Sequence, residues 1–259
     1  NLEFTRLKRN YRLLDTFDQK YLVFRNFHKF KNIEGIDELL SKGGSWKRSD
    51  EICTYINHLS EEMVDIEALQ SDDNPGIRTL GRVLSVYQEM LEEGNLIDFS
   101  TIQTECYKLL MQNKQILEEK PDIVVLDELQ YLMIDEYQDT NYIQEQIVFL
   151  LGAKHHNICV VGDDDQGLYR FRGATIRNIL EFPHKFENEG CKIIPLVVNY
   201  RSNSDIVDFY NEWISTTSGH KFKFSWDRYR YQKKIEPHVK SDIQSPAVVK
   251  LFSKDDEDE

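Results

Sequence analysis

Three apolar runs in the second half of the chain each stop at a cluster of side chains able to do chemistry. Tyr131 to Ile134 ends at Asp135 and Glu136. Ile158 to Val161 ends at Gly162, Asp163, Asp164, Asp165 and Gln166, and Ile193 to Val198 ends at Asn199, Tyr200, Arg201 and Ser202. An acidic pair, an amide, an aromatic ring and a guanidinium on one sheet edge suit a magnesium nucleotide. One carboxylate holds the metal and the second takes a proton from an attacking water, while the amide senses the terminal phosphate and the arginine meets transition-state charge.

Such a cluster needs elements that bring the run ends together. Short apolar runs read as buried strands, and between the first two Ile143, Ile147, Leu150 and Leu151 fall on one helical face. Strand, helix, strand is the unit of a parallel sheet covered by helices. Ligands of these sheets bind outside the carboxyl ends of the strands, which places Asp135, Glu136 and Gln166 over one crevice. A competing run, Ile123 to Glu128, also ends in Asp-Glu. Leu129 and Gln130 alone cannot join two parallel strands, which need a crossover of roughly a dozen residues or more. Ile123, Leu126 and Leu129 fit instead a short helix opening at Pro121, and the carboxylate role goes to Asp135 and Glu136.

From residue 1 to about 120 the chain reads as helical. Leu13, Leu14, Phe17, Tyr21 and Phe24 share one face after an N-cap at Asp15, a pattern that packing onto a core explains. Ile77, Leu80, Leu84, Tyr87 and Leu91 step by three and four residues after a turn at Asn74, Pro75 and Gly76. Ile102, Cys106, Leu109 and Leu110 suggest a further helix.

Composition bounds the rest. With 259 residues, 40% of them hydrophobic, the chain can bury a sizeable core in one or two domains. No run is long and apolar enough for a membrane span, and NLEFTRLKRN lacks the apolar centre of a signal peptide. Cys53, Cys106, Cys159 and Cys191 form no CxxC pair, so neither a zinc site nor a disulfide framework is indicated and a reducing cytoplasm is expected. A net charge of -13 runs against nucleic-acid binding taken as a whole. It is unevenly spread. Lys221, Lys223, Arg228, Arg230, Lys233 and Lys234 alternate with Phe222, Phe224, Trp226, Tyr229 and Tyr231, which suits either a surface tracking a single strand or an edge hairpin.

DEYQDTN at 135–141, GDDDQGLYRFRGA at 162–174 and NYRS at 199–202 resemble motifs II, III and IV of the UvrD/Rep family of superfamily 1 DNA helicases, in the family's order. LLDTFDQ at 13–19 and LIDFSTIQ at 96–103 more loosely resemble the start and exit of the helical subdomain inserted into that family's first motor domain. The resemblance implies an α/β fold, a partial RecA-like P-loop NTPase parallel sheet with an inserted all-helical subdomain. It divides the chain into a helical insertion (1–120), the RecA-like core of the first motor domain (121–215) and the connection to, and first strand of, the second motor domain (216–259). It further implies roles: Asp135 for Mg2+, Glu136 as base, Gln166 at the terminal phosphate and Arg201 as arginine finger. Tyr200 would stack on adenine, with Gln138 also at the nucleotide. Tyr169, Phe171 and Arg172 would contact single-stranded DNA, although Arg170-Phe171 stands where many relatives carry Gly-Trp, a larger stacking face.

One departure from the family is an absence. None of the 259 residues form Gly-Lys-Ser or Gly-Lys-Thr, and Gly43-Gly44-Ser45 has the wrong order for a phosphate-cradling loop. SPAVVKLFSKDDEDE at 245–259 looks like the opening strand of the second motor domain. The expectation is a fragment of an ATP-dependent 3′-5′ DNA helicase or translocase, inactive alone. Its partners would be ATP, Mg2+, single-stranded and 3′-tailed duplex DNA and a repair or replication protein, with no membrane. The alternative is a catalytically dead, truncated module that binds single-stranded DNA or a repair partner. A nuclease centred on Pro121-Asp122 is not supported, because the nearby Glu118-Glu119-Lys120 precedes Pro121.

Overall fold

Asp15 ends the short extended stretch β1 (Arg12–Leu13) and starts α1 (Thr16–Arg25), its carboxylate accepting the Asp18 N–H at 2.7 Å. The computed structural model describes residues 5–119, 129–167, 176–215, 231, 233–240 and 248–249. Helices α2 (Phe27–Lys31), α3 (Ile36–Leu39), α4 (Ser45–Glu61) and α5 (Ile66–Ser71) follow. Next comes α6 (Pro75–Gly94), which Asn74 caps through the Gly76 N–H. Pro75 sits in the first turn, where its missing N–H removes no helical bond. Asn74 to Gly76 are thus this helix's own cap and first turn rather than a separate turn. Beyond it β2 (Leu96–Ile97) lies parallel to β1, and α7 (Phe99–Glu119) runs on from there.

These helices close a core of their own. Val23, Phe30, Ile52, Ile56, Val83, Leu84, Tyr87 and Leu91 are fully or almost fully buried in one cluster. Beside it the buried Asp98 carboxylate accepts from Gln19 Nε2 (3.1 Å), from the Thr101 N–H (2.7 Å), from Thr101 Oγ1 (2.8 Å) and from the Tyr87 hydroxyl. Burial first, and the Asp98 charge second, push the Tyr87 hydroxyl pKa up.

That polar knot corrects the expected face of α1. Gln19 and Val23 point inward, and Phe17, Tyr21 and Phe24 are exposed. The Gln19 amide finds partners in Asn57 and Asp98, so the helix is rotated to place it inside. On α6 the expected Leu84, Tyr87 and Leu91 are buried, whereas on α7 Leu110 is buried and Ile102 and Cys106 are exposed.

The strand–helix–strand unit forms, but its strands are not buried as expected: Met133 and Cys159 are exposed, and only the side chains on the opposite face are half-buried. β3 (Leu132–Ile134) and β4 (Ile158–Val160) pair in parallel, Leu132 with Ile158, Met133 with Cys159 and Ile134 with Val160. Between them, α8 (Tyr142–Gly152) opens on a reciprocal capping box of Asn141 and Gln144. Ile143, Glu145, Val148 and Gly152 are its buried residues; Ile147, Leu150 and Leu151 are half-buried. Helix α7 packs against α8. The competing run Ile123 to Glu128 lies outside the described residues.

The chain divides into two compact units, Asn1–Ile179 and Leu180–Glu259, with α9 (Arg177–Lys185) spanning the boundary in sequence. In the second unit β5 (Val198–Asn203) leads into α10 (Ser204–Ser215) and pairs in parallel with β6 (Glu236–Val239). The apolar run expected to be a buried strand is not one: Ile193, Ile194 and Leu196 are exposed, and the strand begins at Val198. Pro195 interrupts that run, and proline removes a ladder donor. β6 has no apolar alternation, and Asn211 of α10 fixes its entry by exchanging two hydrogen bonds with Ile235, at 2.8 and 3.0 Å. Among the described residues no helix is long and apolar enough to cross a membrane.

Candidate nucleotide site

β3 delivers Asp135 and Glu136, both exposed, at its carboxyl end. Glu136 occupies the left-handed region (φ 50°, ψ 41°), rare for a residue with a side chain, and this turns the strand into the short 3-10 turn Tyr137–Asp139. Two backbone bonds stitch the strand ends together beyond the ladder. Val161 N donates to Ile134 O (2.8 Å) and Tyr137 N donates to Val161 O (2.9 Å). The Tyr137 ring is fully buried and its hydroxyl donates to the buried Glu145 of α8 at 3.2 Å. Burial, then the Glu145 charge, push that hydroxyl's pKa up.

Gln138, buried in the same turn, is the hinge pin of the site. Its Nε2 donates to Glu136 Oε2 (2.7 Å), and its Oε1 accepts the Asp163 N–H (3.0 Å) from the loop after β4. Asp163 Oδ2 in turn accepts from Gln166 Nε2 at 2.7 Å. A continuous polar chain thus runs from Glu136 through Gln138 and Asp163 to Gln166. The bridge needs glycine at 162, because a Cβ there would lie 2.5 Å from Gln138 Oε1 and 2.7 Å from Ile179 Cδ1.

The chain holds one side of each acid and leaves the other open. Asp135 Oδ1 accepts the Glu136 N–H (2.9 Å), and no described residue donates to Asp135 Oδ2 or Glu136 Oε1. An exposed carboxylate oxygen with free lone pairs is the hard donor that Mg2+ takes, and one or two carboxylates suffice for an ion that keeps most of its waters. Asp135 therefore fits a magnesium site. Asp163, Asp164 and Asp165 also bring carboxylate oxygens within 4.8 Å of one another. Asp163 is already engaged, however, capping the turn through the Asp165 N–H (3.1 Å) and holding Gln166. Burial and the charge of Glu136 raise the Asp139 carboxyl pKa, and its Oδ1 is buried with no hydrogen-bond partner among the described residues.

One supporting residue escaped sequence reasoning, and a second was read for a different role. Asn178, buried, donates through Nδ2 to Thr140 O (3.2 Å) and Thr140 Oγ1 (3.2 Å), tying the loop after β3 to the start of α9. No spacing in the sequence marks it. Gln138 was legible only as a nucleotide-side amide; its bridging role needs the two strands side by side.

Tyr200 and Arg201 belong to the second unit. Both are exposed, with the Tyr200 ring 4.7 Å from His238. Asn199 Oδ1 accepts the N–H groups of Arg201 (2.9 Å) and Ser202 (2.8 Å), within the stretch from Asn199 to Asn203 where the pairing of β5 with β6 shifts register. Tyr169, Phe171 and Arg172, like most of the basic and aromatic run at 221–234, lie outside the described residues.

The UvrD/REP helicase N-terminal domain matches this sequence over residues 2–187, most of its length. The chain belongs to that family. The UvrD-family chain is 30% identical over 220 residues to DNA helicase II of Haemophilus influenzae, an alignment covering 85% of this chain and 28% of that protein. It is 32% identical over 225 residues to ATP-dependent DNA helicase PcrA of Staphylococcus epidermidis, with 85% and 28% covered. DNA helicase II of Escherichia coli is 33% identical over 172 residues, 66% of this chain and 23% of the relative. The chain spans about a quarter of the length of these relatives. The mixed helices and parallel strands of this structure are consistent with that N-terminal domain.

Proposed function

We propose that this chain is part of the motor of an ATP-dependent DNA helicase, contributing the metal-binding, water-activating and phosphate-sensing side of its nucleotide site. The observation that carries this is the polar chain Glu136–Gln138–Asp163–Gln166, which joins the carboxyl ends of two parallel strands where such sheets bind ligands. In this reading residues 121–215 belong to a RecA-like core, 1–120 to a helical insertion and 216–259 to the passage into a second motor domain. A full-length parent supplies the phosphate-cradling lysine and that second domain, and the 259-residue chain alone turns over no ATP.

Asp135 would hold Mg2+, which would supply positive charge against that of the bound phosphates. Glu136 accepts a proton from the attacking water on Oε1, while Gln138 fixes the opposite oxygen and so the carboxylate's direction. Gln166 contacts the terminal phosphate, and its bond to Asp163 is the one that contact must compete with. Arg201 meets the transition-state charge and Tyr200 stacks on adenine, while the buried Gln138 serves the nucleotide through the Glu136 carboxylate it holds. Tyr169, Phe171 and Arg172 carry the single strand, with movement 3′ to 5′ on 3′-tailed duplexes in cytoplasmic repair or replication alongside a partner protein.

The test is phosphate release by the full-length parent with and without single-stranded DNA. Glu136→Gln keeps the shape and removes the base, so DNA-stimulated turnover should fall about 10²–10⁴-fold with ATP still bound. Wild-type turnover in that variant would remove Glu136 from the chemistry. Absent turnover in the wild-type parent, with DNA still bound, would favour the binding-module reading.

A further inference from the structure

Helix α1 turns its largest apolar side chains outward. Phe17, Lys20, Tyr21, Phe24 and Arg25 recur at three- and four-residue steps and so share one face. Trp46, in the first turn of α4, joins them. Phe17 is 62% exposed, Tyr21 44%, Phe24 38% and Trp46 39%. The rings of Phe17 and Tyr21 lie nearly parallel, 6.2 Å apart with 7° between their planes. Trp46 stands 5.9 Å from Phe17 and 5.3 Å from Phe24. Cations sit among the rings: Lys20 Nζ is 4.6 Å from the Trp46 centroid, and the Arg25 guanidinium is 5.8 Å from that of Tyr21.

Single exposed aromatics are ordinary, but four in contact make a patch, and patches of that kind mark binding surfaces. Its charge says what it binds. Residues 1–31 carry eight Lys and Arg against three Asp and Glu, in a chain whose net charge is -13. Beside the rings a groove of about 340 Å³ is lined by Arg12, Tyr21 and Arg25 among others. Four of these cations are already paired, Arg6 with Glu105, Arg12 with Asp18, Lys20 with Asp50 and Lys29 with Glu93, whereas Arg25, on the aromatic face itself, makes no ion pair among the described residues.

We infer that this face of α1 and α4 is a second single-stranded nucleic-acid contact, with a base stacking on the Phe17–Tyr21 pair and a phosphate meeting Arg25. Flat rings interleaved with cations accept bases of any sequence. The strand must be unpaired, since in a duplex each base already covers the faces of its neighbours. The inference rests on the DNA-motor reading and adds to it a contact distant in sequence from Tyr169, Phe171 and Arg172.

Fluorescence anisotropy of the 259-residue chain with a labelled oligothymidylate of about twenty nucleotides, long enough for one site, tests it. Replacing both Phe17 and Tyr21 by Ala should weaken binding about tenfold or more, while Tyr21→Phe, which keeps the ring, should not. Arg25→Glu should weaken binding and lower the salt slope by about one phosphate contact. Tryptophan emission should be quenched on binding in the wild type and distinctly less so in Trp46→Phe. All these side chains are exposed, and unchanged circular dichroism would show the variants folded. Wild-type affinity in the Phe17/Tyr21 and Arg25 variants, with Phe171→Ala still weakening the complex, would overturn this surface and leave the motor reading standing. No binding by the wild type even at low salt would overturn both.

Discussion

The helical part of the chain and the β3–α8–β4 unit solve different problems. Between Leu14 and Leu91 the apolar side chains of α1, α2, α4, α5 and α6 bury one another, and the buried Asp98 has a donor for each oxygen. At the strand pair, Met133 is 75% exposed and Cys159 beside it is exposed too, Tyr131 just before β3 is 76% exposed, and Glu136 just after it holds a backbone conformation that side chains disfavour. The first region is finished as packing. The second holds a strained backbone and open apolar surface where it presents its carboxylates, the pattern that functional sites rather than packed cores show.

The sharpest way to break that contrast is a matched pair of truncations. Ile56→Ala opens a cavity in the helical core and should cost about 2–5 kcal/mol in urea unfolding. Met133→Ala, on the open sheet face, should stay within about 0.5 kcal/mol. Equal losses would mean that the sheet face is covered in solution.

Gly162→Ala comes next. The added methyl collides with Gln138 Oε1, and the forced shift should cost about 1–3 kcal/mol while separating Gln138 from Asp163. Loss of the protected Gln138 side-chain amide signals in NMR would report it; an unchanged spectrum would mean the loop yields elsewhere. Smaller again is Asn141→Ala, which removes the α8 capping box and should cost about 1 kcal/mol.

Cysteine chemistry gives the mildest test. Burial, with the nearby charges of Asp50 and Asp98, pushes the Cys53 thiol up to about 12. At pH 8 on the order of one Cys53 in ten thousand is then thiolate. Cys159, exposed on the sheet face, should alkylate promptly, and Cys53 only after denaturation. Because the unfolded thiol ionises first, near about 8.5, Cys53 stabilises the folded state below that pH, and this contribution is lost as pH rises toward 12. Equal labelling rates in the folded chain would contradict the burial.

How much of this was legible depended on whether a local pattern decided it. The strand–helix–strand unit and its two carboxylate-bearing ends follow from short apolar runs and the crossover rule, and the register of β3 on β4 agrees. Helix α6 was equally plain, because its stripe is long and periodic. Helix α1 was misleading because hydrophobicity alone puts Phe17, Tyr21 and Phe24 inside, whereas the winner was a buried amide, Gln19, whose partners Asn57 and Asp98 lie 38 and 79 residues away. The run at Ile193 failed for a different reason, Pro195 within it. Gln138 and Asn178 join segments distant in sequence, and no spacing rule encodes such a bond.

The central claim is that Glu136, Gln138, Asp163 and Gln166 act as one unit linking the ends of β3 and β4. A double-mutant cycle on Gln138→Ala and Gln166→Ala, read as DNA-stimulated ATP turnover of the full-length parent, tests it most directly. The account predicts a double variant little slower than the slower single one, a coupling above about 1 kcal/mol. Losses that simply add, within about 0.5 kcal/mol, would contradict it and leave the two glutamines as independent contacts.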